Sequence, residues 1–481
     1  MTAQASAPHR PDPSVETELM VLGAGPGGYT AAFRAADLGK RVVLVDSAAP
    51  LGGVCLNHGC IPSKSLLHTA KVIRDAGGLE GVRFGSPQLD LDAIRAGKDR
   101  IIARMARGLS ALARQRGITV LQGHGRFTSA NGLQVAGPER STAVRFDKAI
   151  IACGSAPVRL PGLPQDPRVM DSTAALALAD IPRRLLIVGG GIIGLEMAQI
   201  YDALGARITL VERMDQLLPG ADADLVLPLA RKLGRRYERI CLGTQMHFLA
   251  ATDQGLRVRL DDKGGQIEET YDRILVAVGR HPNGANIGAE AAGVHVDARG
   301  IIAVDAQMRT NVAHIFAIGD VVGEPMLAHK ASHEARVAAG VACGQDLRFD
   351  ARTIPCVAYT DPEIAWMGLT ELEATRRGIP FENFTLPWHV SGRAMSSGSG
   401  DGLTKLLIDP VSRRILGAGI VGACAGDLIA EAVFALEMDA DAGDLALAIH
   451  PHPTFSETLA LAAELAEGTI TDMLPPSYSR G

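Results

Sequence analysis

The chain has 481 residues, more than one hydrophobic core holds, and its length sets a prior of roughly three domains. Its 47% hydrophobic and 21% charged residues are those of an ordinary globular protein, and a net charge of −5 without a long Lys/Arg run argues against a nucleic-acid or anionic-membrane surface. Seven cysteines, of which only Cys55 and Cys60 lie close together, exclude a secreted disulfide scaffold and fit a reducing compartment, so a cytoplasmic location is expected.

Residues 1–17 contain Pro, Ser and acids but no apolar signal core, and read as a disordered tail. No apolar run approaches the ~18 residues of a membrane span. Next comes "ELMVLGAGPGGYTAAFRAADLGKRVVLVD": an apolar run, a glycine turn, a helical stretch and a second apolar run, which together make a βαβ unit. In Gly23-x-Gly25-x-x-Gly28 the first glycine permits the tight turn, the second lets backbone approach a pyrophosphate, and the third lets helix and strand pack closely. Asp46 ends the next strand, 18 residues past Gly28, where an acid binds a ribose diol.

The stretch "GGVCLNHGCIPSK" follows. A Cys55–Cys60 disulfide would close a loop of about six residues, and the chain-entropy model gives only ~2 kcal/mol for so short a staple. Zinc would need two further Cys or His ligands, and only His58 is local, so no metal is expected. A redox pair in the first nucleotide domain is the remaining reading. It calls for a flavin there as electron carrier, with Lys64 as a nearby positive charge or simply a solvated lysine.

Residues ~90–117 read as a long helix rich in Arg, Ala, Ile and Leu, and "GLQVAGPERSTAVRFDKAIIACGS" as short strands ending in a turn. The βαβ grammar returns at "RLLIVGGGIIGLEMAQIYDALGARITLVE", with Gly189-x-Gly191-x-x-Gly194 and Glu212 at the same 18-residue spacing. An acid there accepts from a 2′-hydroxyl and repels a 2′-phosphate, which favours NAD over NADP, with Arg213 read as a surface residue. "DRILVAVGRHPN" and "HIFAIGDVV" are each a buried strand followed by a glycine turn. From ~350 the texture is α+β: a hairpin-like pair in "TKLLIDPVSRRILGAGIVG", then helices such as "DLIAEAVFALEM". The fold class is therefore α/β, with two doubly wound Rossmann-like domains and a C-terminal α+β domain. In "IHPHPTFSETL", Pro451 and Pro453 stiffen the backbone around His452, and Glu457 stands where it can orient the imidazole. Thr454-x-x-Glu457 also reads as a capping box, and His452 as a packed core histidine. The residues alone leave both open.

Seven motifs in order, "GAGPGGY", "GGVCLNHGCIPSK", "GGGIIGLE", "VAVGRHPN", "IFAIGDVV", "LAHKASHE" and "HPHPTFSE", resemble the pyridine nucleotide–disulfide oxidoreductases over residues ~18–475. The likeness is greatest to their dihydrolipoyl dehydrogenase (E3) branch. The resemblance implies an FAD-binding domain at 18–155, an NAD-binding domain at 156–279, a central domain at 280–350 completing the FAD site, and an interface domain at 351–481. It makes Cys55 the thiol that exchanges with the lipoyl disulfide, Cys60 the flavin-proximal thiol and Lys64 the lysine near the flavin N5. Asp320, after Gly319, would bind a flavin-side hydroxyl. Ala328 and Gly125 would meet FAD through backbone, and Met246 and Gly279 would meet NAD. His452 and Glu457 would form a catalytic dyad supplied by the other subunit of a homodimer. The substrate would be a lipoyl group on an acyltransferase (E2) or a glycine cleavage H protein, which a partner must bring because no lipoyl domain precedes residue 18. His58 and Cys153 depart from the family pattern. A mercuric reductase would need a second cysteine pair near the end of "MLPPSYSRG", a glutathione-type reductase would prefer NADPH against Glu212, and a non-catalytic scaffold subunit would not need Cys55, Cys60, His452 and Glu457 together.

Overall fold

The computed structural model describes residues 14–78 and 81–474. Residues 1–13, most of the expected tail, lie outside the described residues. Ser14–Thr17, read as the end of that tail, instead begin the first strand and pair in register with Ala143–Phe146.

The chain forms two compact units that do not follow sequence order. The first comprises Met1–Pro62, Ala96–Pro157 and Arg280–Asp350. Its sheet runs 119–122, 42–46, 14–22, 141–151, 132–136, 124–129, with 315–317 also beside 141–151. The strands 119–122, 42–46, 14–22, 141–151 and 315–317 are parallel. Their apolar runs are continuous because both faces are buried. Strand periodicity then sorts the side chains. Leu19, Val21, Leu44, Ile150 and Phe316 face the helices Pro26–Asp37 and Ala328–Ala342, whereas Met20, Leu22, Val45, Ile151 and Ala317 pack with Phe127, Leu133 and Phe146. Leu22, Val45, Ile151 and Ala317 stand in one row of register. The turns that follow them, carrying Gly23, Asp46, Cys153 and Asp320, therefore gather at the carboxyl edge of one sheet, where such folds bind ligands.

The second unit comprises Ser63–Arg95, Val158–Gly279 and Ala351–Gly481. Its parallel sheet runs 239–241, 207–211, 184–188, 273–276, 169–170. The helices Ile192–Ala203 and Ala223–Gly234 bury Leu195, Tyr201, Leu225 and Leu229 in its main core. A three-stranded antiparallel sheet, 245–252, 255–262 and 265–271, adjoins it through a cluster that includes Val211, Val258 and Ile274. The C-terminal part is a five-stranded antiparallel sheet, 356–358, 363–368, 415–422, 403–408, 382–387, covered by the helices Ala425–Glu437 and Glu457–Glu467. The expected hairpin is Leu403–Ile408 with Ile415–Gly422. The fold is thus α/β with two dinucleotide-type sheets and an α+β C-terminal part.

Candidate active site

The two glycine motifs have the same geometry. Gly23 has φ +105°, and a Cβ there would stand 2.2 Å from the Ala152 carbonyl oxygen; one at Gly28 would stand 1.8 Å from the Gly23 carbonyl oxygen. In the second copy Gly189 has φ +115° and would meet the Ala277 oxygen at 2.3 Å, and Gly194 would meet the Gly189 oxygen at 2.0 Å. These four have no room for a side chain. The middle glycines differ: a Cβ on Gly25 or Gly191 would meet nothing within 4 Å. Each caps a 12-residue helix, so open space lies at a helix N-terminus, as a pyrophosphate requires.

The strand-end acids also match. Asp46 accepts from the Ala24 N–H at 2.6 Å and the Ala48 N–H at 2.9 Å; Glu212 accepts from the Gly190 N–H at 2.6 Å and the Met214 N–H at 2.8 Å. Each carboxylate is thereby fixed at the mouth of its turn with lone pairs left for a ribose. Arg213 is exposed. Gly279 has φ +122° and open space, and its carbonyl accepts from the Val158 N–H at 3.0 Å. Met246 is half-buried against the cluster containing Val211 and Cys241. Both turns fit a dinucleotide.

Cys55 lies in the short helix Gly53–His58, and Cys60 opens the helix Cys60–Gly78. Gly53 explains the preceding Gly-Gly pair: its φ is +59°, and a Cβ there would stand 2.5 Å from the Gly25 Cα. The thiol-bearing helix thus docks directly on the first dinucleotide turn. Tyr29, in the helix after that turn, has its phenol pKa raised first by burial and then by the charges of Cys55 and Cys60. His58 is exposed at the end of the short helix.

Lys64 is held by a partner the sequence reading did not name. Its ammonium lies 2.9 and 3.0 Å from the two oxygens of buried Glu196 and 4.3 Å from the centre of the Tyr359 ring. The signal was present, since Glu196 is an acid within the run of buried residues Gly194–Tyr201 that follows "GGGII".

Asp320 sits in the single turn Gly319–Val322. It accepts from the Ser155 hydroxyl at 2.5 Å, and Ser155 in turn accepts from Arg280 Nε at 2.7 Å. Beneath the turn, the buried pair Lys330–Glu334 (3.0 Å) acts as a clip. Glu334 accepts from the Gly319 N–H at 2.7 Å, and Lys330 donates to the Gly319 and Gly323 carbonyls. Burial pushes the Glu334 carboxyl up from its usual range, against the Lys330 charge. Ala328 is the first residue of the helix Ala328–Ala342. Gly125 has a packing reason of its own, because a Cβ would stand 2.6 Å from Leu22 Cδ1 and 3.0 Å from Leu133 Cδ2. Cys153 lies beside Gly23, and burial pushes its thiol up to about 12, away from the range of a reactive thiolate.

His452 Nδ1 lies 2.8 Å from Glu457 Oε1, and Glu457 Oε2 accepts from the Thr454 N–H at 2.6 Å. Only half of the expected capping box forms. The Thr454 hydroxyl donates to the Pro451 carbonyl instead, and the helix starts at Glu457. With Nδ1–H donated to Glu457, Nε2 carries the lone pair. His452 is 79% exposed in the single chain, so it is not a packed core histidine. The start of the helix is set from behind. Trp388 stacks on Phe455 and donates to Thr404, Thr404 donates to Thr458, and Thr458 donates to the Phe455 carbonyl. Among the described residues, the one cluster of acids close enough to share a cation is Asp222, Asp224 and Glu371, and the Lys405 ammonium stands 2.8 Å from each.

A family model described as pyridine nucleotide-disulphide oxidoreductase matches residues 17–335, and the model of that family's dimerisation domain matches residues 354–463. The chain belongs to the pyridine nucleotide-disulphide oxidoreductase family, and it uses FAD and NAD. It is 50% identical over 463 residues to a dihydrolipoyl dehydrogenase of Vibrio cholerae (95% of this chain, 97% of the relative). It is 49% identical over 463 residues to that of Haemophilus influenzae (95% and 97%) and 40% identical over 470 residues to that of Haloferax volcanii (95% and 98%). Among solved structures it resembles LpdA from Mycobacterium tuberculosis (TM-score 0.85, 25% identity, covering 93% of this chain and 99% of that one). It also resembles the Cu(II) complex of the HOCl-induced flavoprotein disulfide reductase RclA from Escherichia coli (TM-score 0.84, 27% identity, 94% and 99%). No helix among the described residues is long and apolar enough to cross a membrane.

Proposed function

We propose that the chain oxidises protein-bound dihydrolipoamide to lipoamide and reduces NAD+ to NADH, with Cys55, Cys60, His452 and Glu457 as its thiol machinery. The observation that carries this is the His452–Glu457 pair, fixed at 2.8 Å with Nε2 presented outward, together with the thiol helix docked on the first dinucleotide turn. His452 Nε2 takes a proton from one lipoyl thiol. The resulting thiolate attacks the Cys55 sulfur, breaks the Cys55–Cys60 bond and releases Cys60 as a thiolate. The second lipoyl sulfur then attacks the lipoyl sulfur of the mixed disulfide, its proton passing to the departing Cys55 sulfur, which closes lipoamide and releases Cys55 as a thiol. FAD, when held at the Gly23–Gly28 turn beside the thiol helix, would supply the two-electron link between the Cys55–Cys60 dithiol and NAD+. Lys64, held by Glu196, supplies fixed positive charge, and Glu212 selects NAD over NADP.

In this reading, residues 18–155 and 280–350 hold FAD and residues 156–279 hold NAD. Residues 351–481 form the face of a homodimer, and His452 serves the partner's thiols. Phe434 (68% exposed), Leu447 (81%) and Ile449 (99%) give that part of the surface the apolar character of an interface. The lipoyl group arrives on an acyltransferase or a glycine cleavage H protein, in a reducing cytoplasmic setting. The test is a visible spectrum of the purified protein followed by dihydrolipoamide with NAD+ or NADP+. A flavin spectrum, a long-wavelength charge-transfer band on partial reduction and NADH formed only with NAD+ support the reading. A flavin spectrum without dihydrolipoamide turnover moves the substrate to another disulfide.

A further inference from the structure

Two residues before His452 stands a second histidine–glutamate pair. His450 Nε2 lies 2.7 Å from Glu431 Oε1, on the helix Ala425–Glu437, and Nδ1 lies 2.9 Å from the Ala448 carbonyl oxygen. Its side chain is 9% exposed where that of His452 is 79% exposed. Both ring nitrogens are thus engaged, one by the backbone of its own segment and one by the neighbouring helix.

The backbone around it has little else to hold it. From Ile449 to Pro453 no backbone N–H donates to a backbone carbonyl among the described residues. Downstream the segment is tied by Thr454 and Glu457; upstream its tie is His450. We infer that His450 and Glu431 form a positioning pair that anchors the catalytic segment to the helix Ala425–Glu437 and so sets where His452 Nε2 meets the lipoyl thiol. The inference rests on the reading of His452 as the base.

The test uses the full-length holoenzyme and follows two half-reactions by stopped flow: reduction by dihydrolipoamide, which needs His452, and reduction by NADH, which does not. His450→Gln and Glu431→Gln are expected to slow the first by about 10- to 100-fold, the loss an ångström-scale misplacement brings, and to leave the second within about twofold. Sedimentation should show an unchanged assembly. Wild-type rates in both variants overturn the inference, and so does an equal fall of both half-reactions, which marks general structural damage. If His450→Gln does not fold, Glu431→Gln, which keeps shape and loses charge, decides alone. A His452→Gln control separates the two levels. If that change leaves the dihydrolipoamide half-reaction intact, the reading of the base fails, whereas a normal His450→Gln beside a crippled His452→Gln sinks only the anchor.

Discussion

Replacing Glu457 by Gln tests how the dyad works, because the structure dictates which way the amide must turn. One Glu457 oxygen takes the Thr454 N–H at 2.6 Å and the other takes His452 Nδ1 at 2.8 Å. Glutamine has only one oxygen. If that oxygen stays on Thr454, the amide N–H2 faces Nδ1, which must then accept, and the imidazole proton moves to Nε2. The base is then in the wrong tautomer. If the amide turns over, His452 is correct but the Thr454 N–H loses its acceptor. That bond is only partly buried, so the net figure for a hydrogen bond, about 0.5–1.5 kcal/mol, applies rather than the full desolvation penalty. At 1.36 kcal/mol per decade this is about a two- to tenfold loss of productive tautomer. His452→Gln removes the proposed base altogether and is expected to cost about 10²- to 10⁴-fold. The assay is steady-state turnover of dihydrolipoamide with NAD+, paired with NADH oxidation by an artificial acceptor that bypasses the base. Glu457→Gln should lie well above His452→Gln in the first assay and match wild type in the second. Equal, large losses in both variants would refute tautomer control and give the role to the carboxylate's charge; wild-type turnover in Glu457→Gln would refute any orienting role.

Gly53→Val places a Cβ 2.5 Å from the Gly25 Cα at a φ of +59°, so the purified protein should carry well under one flavin per chain, read from the ratio of visible to ultraviolet absorbance; a full complement would disprove the docking. Glu212→Ala removes the acceptor fixed at the mouth of the second turn. The NAD+ over NADP+ preference in kcat/KM should narrow by about 10- to 150-fold, the worth of a hydrogen bond to a charged group, and an unchanged ratio would contradict the assignment. Cys153, its thiol pushed up to about 12, should resist iodoacetamide at pH 8 in the folded reduced enzyme and react after denaturation, with peptide mass spectrometry as the readout. Lys405→Met leaves Asp222, Asp224 and Glu371 facing one another, so thermal unfolding should come at lower temperature near neutral pH, and the deficit should shrink as acid neutralises the three carboxylates.

What the sequence shows of this site depends on how far away the physical constraint lies. The glycine turns and their acids were legible because turn, helix start and strand end fall within one βαβ unit, although the atoms that exclude a side chain at Gly23 and Gly189 belong to Ala152 and Ala277. The partners of the site residues were not legible. Glu196 reaches Lys64 across 132 positions, and Ser155 reaches Asp320 across 165 and Arg280 across 125. No local pattern encodes such pairs, yet each left a trace: an acid among the apolar residues that open a helix, and a polar residue after a buried strand. Ser14–Thr17 went the other way. Their composition reads as tail, but pairing with the strand Ser141–Ile151 overrides it.

Glu457 shows why two readings of one residue need not compete. As a capping residue it takes the Thr454 N–H; as an orienting residue it takes His452 Nδ1; and it has one oxygen for each. The first bond turns the carboxylate so that the second can form, and the Trp388–Thr404–Thr458 chain fixes the helix that carries both. A histidine acting as a base, as proposed for His452, would lose rate to its own mobility on an exposed loop. Here the loop between the helices is tied at His450 and at Thr454, so the imidazole stands on a span a few residues long with both ends held. Rigidity in this part of the chain is therefore assembled from side-chain bonds, and substitutions at Glu431, Thr404 or Thr458 should reach the chemistry without touching it.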